Sequence, residues 1–189
     1  MRVTDAANRI GLFDADADHS ACGVGFLTRK DGVQSNDVLV KAHEALCSIP
    51  HRGGMSSEGV GDGAGVSVDL SVKFFRKVTG DDTLEIGNFG VGNFFLPDDG
   101  SMQEEAETLI NEALARQKLG VILVRDLPVN LAELRPAARH HQLTIKQWVF
   151  RCPAAAAGSL DDTDCTDFDA LIYQALLEIE QTAYTDSRF

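Results

Sequence analysis

The chain has 189 residues, enough for one domain with a substantial core, and its 44% hydrophobic content is ordinary for a globular protein rather than a fibrous or disordered one. Asp and Glu outnumber Lys and Arg by 29 to 17, and the net charge of −12 disfavours nucleic acid and anionic membrane surfaces as partners. No apolar run approaches the ~20 residues of a membrane helix, and residues 1–21 carry Asp5, Asp14, Asp16 and Asp18 where a secretory signal would be apolar, so the sequence points to a cytoplasmic protein without a membrane partner.

After this polar leader, residues 22–28 predict a first strand and Lys30-Asp31-Gly32 a turn. From Asn36 to Ile49 the apolar residues Leu39, Ala42, Leu46 and Ile49 recur at helical spacing behind a Ser35 or Asn36 cap, and Pro50 ends the helix. Cys47 then falls near the helix end, as a packed rather than a reactive thiol, and His51-Arg52-Gly53-Gly54 follows as an irregular loop. Gly59, Gly61, Gly63 and Gly65 lead into a segment where Val66, Val68 and Leu70 alternate with Ser67 and Asp69, a strand expected to pair with the first. These glycines suit a sharp bend as well as a close approach to a ligand, and no phosphate-loop pattern accompanies them.

Residues 89–96 predict another strand, and Ser101-Met102-Gln103-Glu104 has the spacing of a capping box opening a helix to about Lys118, closed by Gly120. Val121 to Val124 reads as a short buried strand, and residues 143–151, with Trp148 and Phe150, as a further one. Past an Ala- and Asp-rich connection, Thr166-Asp167-Phe168-Asp169 starts an amphipathic helix to about Ala183 carrying Phe168, Leu171, Ile172, Ala175, Leu176 and Ile179. Elements in this order fit a layered α+β domain whose antiparallel sheets are covered by helices.

The four cysteines, Cys22, Cys47, Cys152 and Cys165, contain no Cys-x-x-Cys pair and read as reduced thiols. His51 and His140-His141 stand far in sequence from any cysteine pair, so no metal site is expected. Cys22 is the residue with a chemical prospect, because Asp18-His19-Ser20-Ala21-Cys22-Gly23-Val24-Gly25-Phe26 places it after the polar leader and at the start of an apolar segment. If the chain is cut after Ala21, its thiol, ordinarily titrating near ~8.5, sits on the same residue as a free α-amine of pKa ~7.7–8.0 that can take its proton. An uncut leader leaves an amide there, which has no basicity. Taken alone, Cys22 also fits a small buried residue opening a core strand.

Three blocks in order resemble one family: Cys22-Gly23-Val24-Gly25-Phe26, His51-Arg52-Gly53 and Gly61-Asp62-Gly63-Ala64-Gly65. They resemble the amino-terminal glutaminase domain of glutamate synthase large subunits, a class II glutamine amidotransferase. Gly90-Val91-Gly92-Asn93-Phe94-Phe95-Leu96-Pro97 and Val124-Arg125-Asp126-Leu127-Pro128-Val129 extend the resemblance more loosely over nearly all the chain after Cys22. It implies a four-layer αββα sandwich of the N-terminal nucleophile hydrolase type, with residues 1–21 a leader or propeptide and 22–189 the front part of the amidotransferase domain. It also implies that Cys22 attacks the side-chain amide of L-glutamine and that Arg52 holds a substrate carboxylate, although Arg52 equally fits a loop-bracing role. Asp62 fits a structural role in the glycine loop. The ammonia would pass to a synthase domain or subunit, which would hold the FMN and the iron–sulfur cluster; no cofactor is expected in this chain.

The departure from the family lies in two blocks. Family members place an Arg-Phe-Ser block and an oxyanion-forming Asn-Gly pair further along, and no Asn-Gly dipeptide occurs in these residues. A tetrahedral oxyanion without its donors loses about 2.7–4 kcal/mol per donor. The expectation is therefore an incomplete sandwich with exposed strand edges, inactive alone and completed by the remaining part of the amidotransferase domain. A catalytically silent relative that binds glutamine or a partner and regulates assembly is the alternative, and the ammonia acceptor is not encoded in these residues.

Overall fold

A computed structural model describes residues 24–48, 63–139, 142–152 and 168–186. The chain divides into two compact units, Met1–Val68 and Asp69–Phe189.

In the first unit, helix α1 (Asn36–Cys47) forms where the apolar spacing predicts it. Ser35 caps it, its hydroxyl accepting from the Asp37 N–H at 3.2 Å, and Lys41 pairs with Asp37 one turn earlier at 2.8 Å. Ahead of α1 the turn at Lys30-Asp31 is closed by Arg29 donating to Asp31 at 2.9 Å, and Gly32 takes a positive φ of 67°. The two strands expected here are absent among the described residues: neither 24–28 nor 66–70 has strand pairing. Val24 is 98% and Phe26 91% exposed, and Val66, Val68 and Leu70 also face solvent. A strand is defined by a ladder to a neighbour, and period-2 alternation records only the capacity to make one.

The second unit is an antiparallel sheet between helices. Its strands are β1 (Phe89–Leu96), β2 (Gly120–Asp126) and β3 (Thr144–Arg151), in the order β1-β3-β2. The last strand in sequence is thus inserted at the centre, with Asn93 and Arg125 both opposite Gln147. Helix α2 (Val72–Thr79), which the apolar pattern did not reveal, is bounded by a Ser71 cap and by Gly80 at φ 72°, whose N–H donates to the Arg76 carbonyl at 2.9 Å. Helix α3 (Gly100–Arg116) joins β1 to β2. Between β2 and β3 lie a 3-10 turn (Leu131–Glu133) and a short helix, α4 (Pro136–Arg139). The unit closes with α5 (Phe168–Thr185).

Strand alternation on β3 divides the core in two. Trp148 and Phe150 face α3 and α5, joining Leu96, Ala106, Ile110, Leu114, Leu119, Cys152, Phe168 and Ala175. Val149 faces the other way and packs with Phe75 of α2, Leu84 and Phe89. Trp148 is fully buried, its indole N–H satisfied by Asn111 Oδ1 at 2.9 Å, and the Phe94 ring meets it edge-on at 5.1 Å. Ion pairs tie the layers together: Lys146 to Glu107 at 2.6 Å, Arg116 to Glu178, and Arg151 to Asp81.

Both ends of α3 differ from the sequence expectation. Its cap is Asp99, whose carboxylate accepts from the Ser101 and Met102 N–H groups at 3.0 Å, so the Ser101 box lies inside the helix. At the far end Lys118 turns left-handed at φ 58° and the Leu119 N–H returns to the Leu114 carbonyl at 2.9 Å, which frees Gly120 to open β2. Nor is β2 buried, since it forms one edge of the sheet and Val121 and Val124 reach solvent. The fold is mixed α+β with one small sheet; the two-sheet sandwich is not present among the described residues.

Candidate functional site

Cys22 and Arg52, on which the sequence places the chemistry, lie outside the described residues, as do Asp62, Cys165 and the histidines at 19, 51, 140 and 141. What is described is the chain on either side of them. Downstream of Cys22, residues 24–29 run without regular structure, and α1 then brings the chain to Ser48, three residues before His51. The glycine segment resumes at Gly63, whose φ of 94° favours glycine on backbone grounds. An added Cβ at Gly63 or Gly65 would meet nothing within 4 Å, so a bend rather than close packing accounts for Gly63.

The other described thiols differ from each other and, in one case, from expectation. Cys152 is sealed in the core. Cys47 is exposed rather than packed, because α1 buries none of its residues, and its Sγ lies 3.9 Å from the His43 ring. Among the described residues no group of three or more His, Cys, Asp and Glu could hold a metal ion. Among the described residues, too, no helix is long and apolar enough to cross a membrane.

A polar constellation that the sequence reading missed lies on the α2 side of the sheet. Arg125 Nε donates to Gln147 Oε1 at 2.8 Å, and Gln147 Nε2 donates to Asn93 Oδ1 at 2.9 Å, linking all three strands in one cross-strand row. The Arg125 guanidinium lies 5.3 Å from the centre of the Phe74 ring. Its sequence signal was a polar residue next to apolar ones on the same face of each strand: Asn93 after Phe89 and Val91, Gln147 before Val149, Arg125 after Leu123. On the opposite face Lys146, aided by Gln103, holds the Glu107 carboxyl below the usual carboxylate range against the opposing effect of partial burial.

Residues 22–187 match the family model of class II glutamine amidotransferases, and the chain belongs to that family. Its curated relatives include the NADH-dependent glutamate synthase of Saccharomyces cerevisiae, 34% identical over 72% of this chain and 7% of the relative. The large chain of the NADPH-dependent glutamate synthase of Bacillus subtilis is 29% identical over 93% of this chain and 11% of the relative. The chloroplastic ferredoxin-dependent glutamate synthase of Spinacia oleracea is 30% identical over 93% and 11% respectively. The chain thus spans about a tenth of the length of these relatives.

Proposed function

We propose that this chain carries the glutamine-hydrolysing chemistry of a glutamate synthase-like enzyme, with Cys22 as nucleophile once residues 1–21 are removed. The observation that carries the reading is the family match, which opens at Cys22. In this reading the α-amine of Cys22 takes the thiol proton, and the sulfur forms a bond to the side-chain carbonyl carbon of L-glutamine. The C–N bond then breaks, the departing nitrogen takes that proton and leaves as ammonia, and a γ-glutamyl thioester remains. Water attacks the thioester, its oxygen bonding to carbon while sulfur leaves and recovers a proton, to give glutamate. Arg52 fits the α-carboxylate of glutamine, since a guanidinium fork holds a carboxylate by two parallel hydrogen bonds.

The finer architecture belongs to the same proposal: a four-layer αββα sandwich of the N-terminal nucleophile hydrolase type, of which the described sheet and its helices form part. Family membership supports it. A synthase part carrying FMN and an iron–sulfur cluster would take up the ammonia, and a cytoplasmic location suits reduced cysteines in an acidic chain.

The test is ammonia release from glutamine by protein isolated from its native source with whatever chains accompany it. Cys22→Ala should abolish release, while Cys47→Ala should leave it unchanged. An unchanged rate in the Cys22→Ala protein overturns the mechanism. Glutamine binding without turnover in the unsubstituted protein supports instead a silent, regulatory relative.

A further inference from the structure

We infer that the outward face of α5 is a docking surface for a basic amphipathic helix of a partner polypeptide. The surface lies opposite the core and uses none of the residues assigned to glutamine hydrolysis.

A helix that closes a layer needs one apolar face, and α5 has two. The inner face is taken by the core, where Phe168 and Ala175 are buried and Leu171, Ile172 and Ile179 pack beside them. On the other side Tyr173, Leu177 and Tyr184 are 59%, 44% and 90% exposed. At about 100° per residue these three and Glu180 fall within ~60° of one another, as the i, i+4, i+7 and i+11 members of a single row. That row is about 16 Å long at ~1.5 Å per residue. Helices associate along such rows, the side chains of one seating between the turns of the other. The two tyrosines offer broad apolar rings while their hydroxyls stay in water at the rim.

Charge decides what covers the row. Together α3 and α5 carry seven carboxylates against one basic residue, Arg116, and α5 itself has no lysine or arginine. Glu107 is answered by Lys146, and Glu112 and Glu178 share Arg116. Glu180, inside the row, and Asp169, beside its start, meet no cation among the described residues. A carboxylate taken out of water without a cation is costly, so the covering helix needs a lysine or arginine opposite Glu180, set among its apolar residues. A second copy of α5 would bring further carboxylates to the same place, which opposes that pairing. The chain's own basic helix, α2 with Lys73, Arg76 and Lys77, does not suit the role in either copy. Its eight residues span only about 12 Å, and its apolar side is already packed through the buried Phe75.

The test titrates the full 189-residue chain, isotopically labelled, with a blocked peptide of two Leu-Lys-Lys-Leu-Leu-Lys-Leu repeats, following the backbone amide signals by nuclear magnetic resonance. The expected result is saturable binding at about 10–100 µM, with the largest shifts at Tyr173, Leu177, Glu180 and Tyr184. The same peptide with glutamate for every lysine should bind at least about tenfold more weakly, a difference of ~1.4 kcal/mol. The double substitution Tyr173→Ser and Tyr184→Ser and, separately, Glu180→Lys should each weaken the basic peptide about tenfold or more. Asp82→Lys, the same change of charge on the exposed turn after α2, should leave binding unchanged. If the double variant fails to fold, Glu180→Lys set against Asp82→Lys decides. Equal binding of the two peptides, equal losses from Glu180→Lys and Asp82→Lys, shifts centred away from α5, or no saturation up to ~1 mM overturns the proposal. Self-association of the chain that the double substitution abolishes assigns the surface to a second copy and overturns it as well.

Discussion

Gly90 lies in β1 beneath Phe150 of β3 and Ile172 of α5, and Gly90→Ala should destabilise the second unit. A Cβ there would lie 2.5 Å from Phe150 Cε2, 2.9 Å from Phe150 Cζ and 3.0 Å from Ile172 Cδ1. Carbon atoms settle at about 3.5–4.0 Å, so the buried Phe150 ring would have to move by roughly an ångström within a packed core. Overpacking of that kind costs about 1–3 kcal/mol. Replacing glycine within a strand returns about 0.5–1 kcal/mol of backbone entropy. With the middle of each range the net loss is about 1 kcal/mol, or about 2–4 °C in the unfolding midpoint for a chain of this size. Trp148, the single tryptophan, is sealed against the same layer and reports the transition by fluorescence in urea or on heating. Phe150→Leu withdraws the offending ring edge, so the double variant should be more stable than the sum of the two single effects by about 1 kcal/mol. A neutral Gly90→Ala, or strict additivity with Phe150→Leu, would refute the packing described.

Three further outcomes follow from the same geometry. Because Lys146 and Gln103 depress the Glu107 carboxyl, the folded value lies below the unfolded one of ~4.3; its stabilisation is complete above that pH and is lost as pH falls through the folded value. Urea midpoints from pH 3 to about 6 should therefore show the unsubstituted chain losing its advantage over Glu107→Gln on acidification, and a constant difference would contradict this. Asp99→Ala should cost about 1 kcal/mol as a lost cap, and Ser101→Ala much less, with the reverse ranking placing the cap at Ser101 after all. A neutral thiol reagent should modify Cys47 in the native chain but reach Cys152 only on unfolding; native modification of Cys152 would show that its core position is wrong.

The second unit was the more legible in sequence. β1, β3, α3 and α5 announce themselves by apolar periodicity, because each puts a continuous apolar stripe against the same core. α2 was missed because eight residues give barely two turns of pattern, although Ser71 and Gly80 mark its ends. The cap of α3 was misplaced by two residues because Asp99 and Ser101 are both good capping residues, and sequence alone does not say which one takes an extended backbone. The expected strand pairing is missing over 24–28 and 66–70 for a different reason. Alternation of Val66, Val68 and Leu70 says which residues would share a face, while pairing needs a neighbouring strand that local pattern does not specify. The family was legible through motif order, and the role proposed for Cys22 rests on that order and not on any local physical signature, since an isolated cysteine before an apolar run is ordinary. The row Asn93–Gln147–Arg125 was hidden because its members meet only through the β1-β3-β2 order.

The assignment of Cys22 is tested most directly by the mass of the protein from its native source, before and after treatment with a glutamine-mimicking electrophile, with the modified peptide identified. Cys22 should be the amino-terminal residue and should carry one adduct, with Cys47, Cys152 and Cys165 unmodified and L-glutamine protecting against the reaction. An active glutaminase that retains Met1, or an adduct on another cysteine with Cys22 untouched, would contradict it.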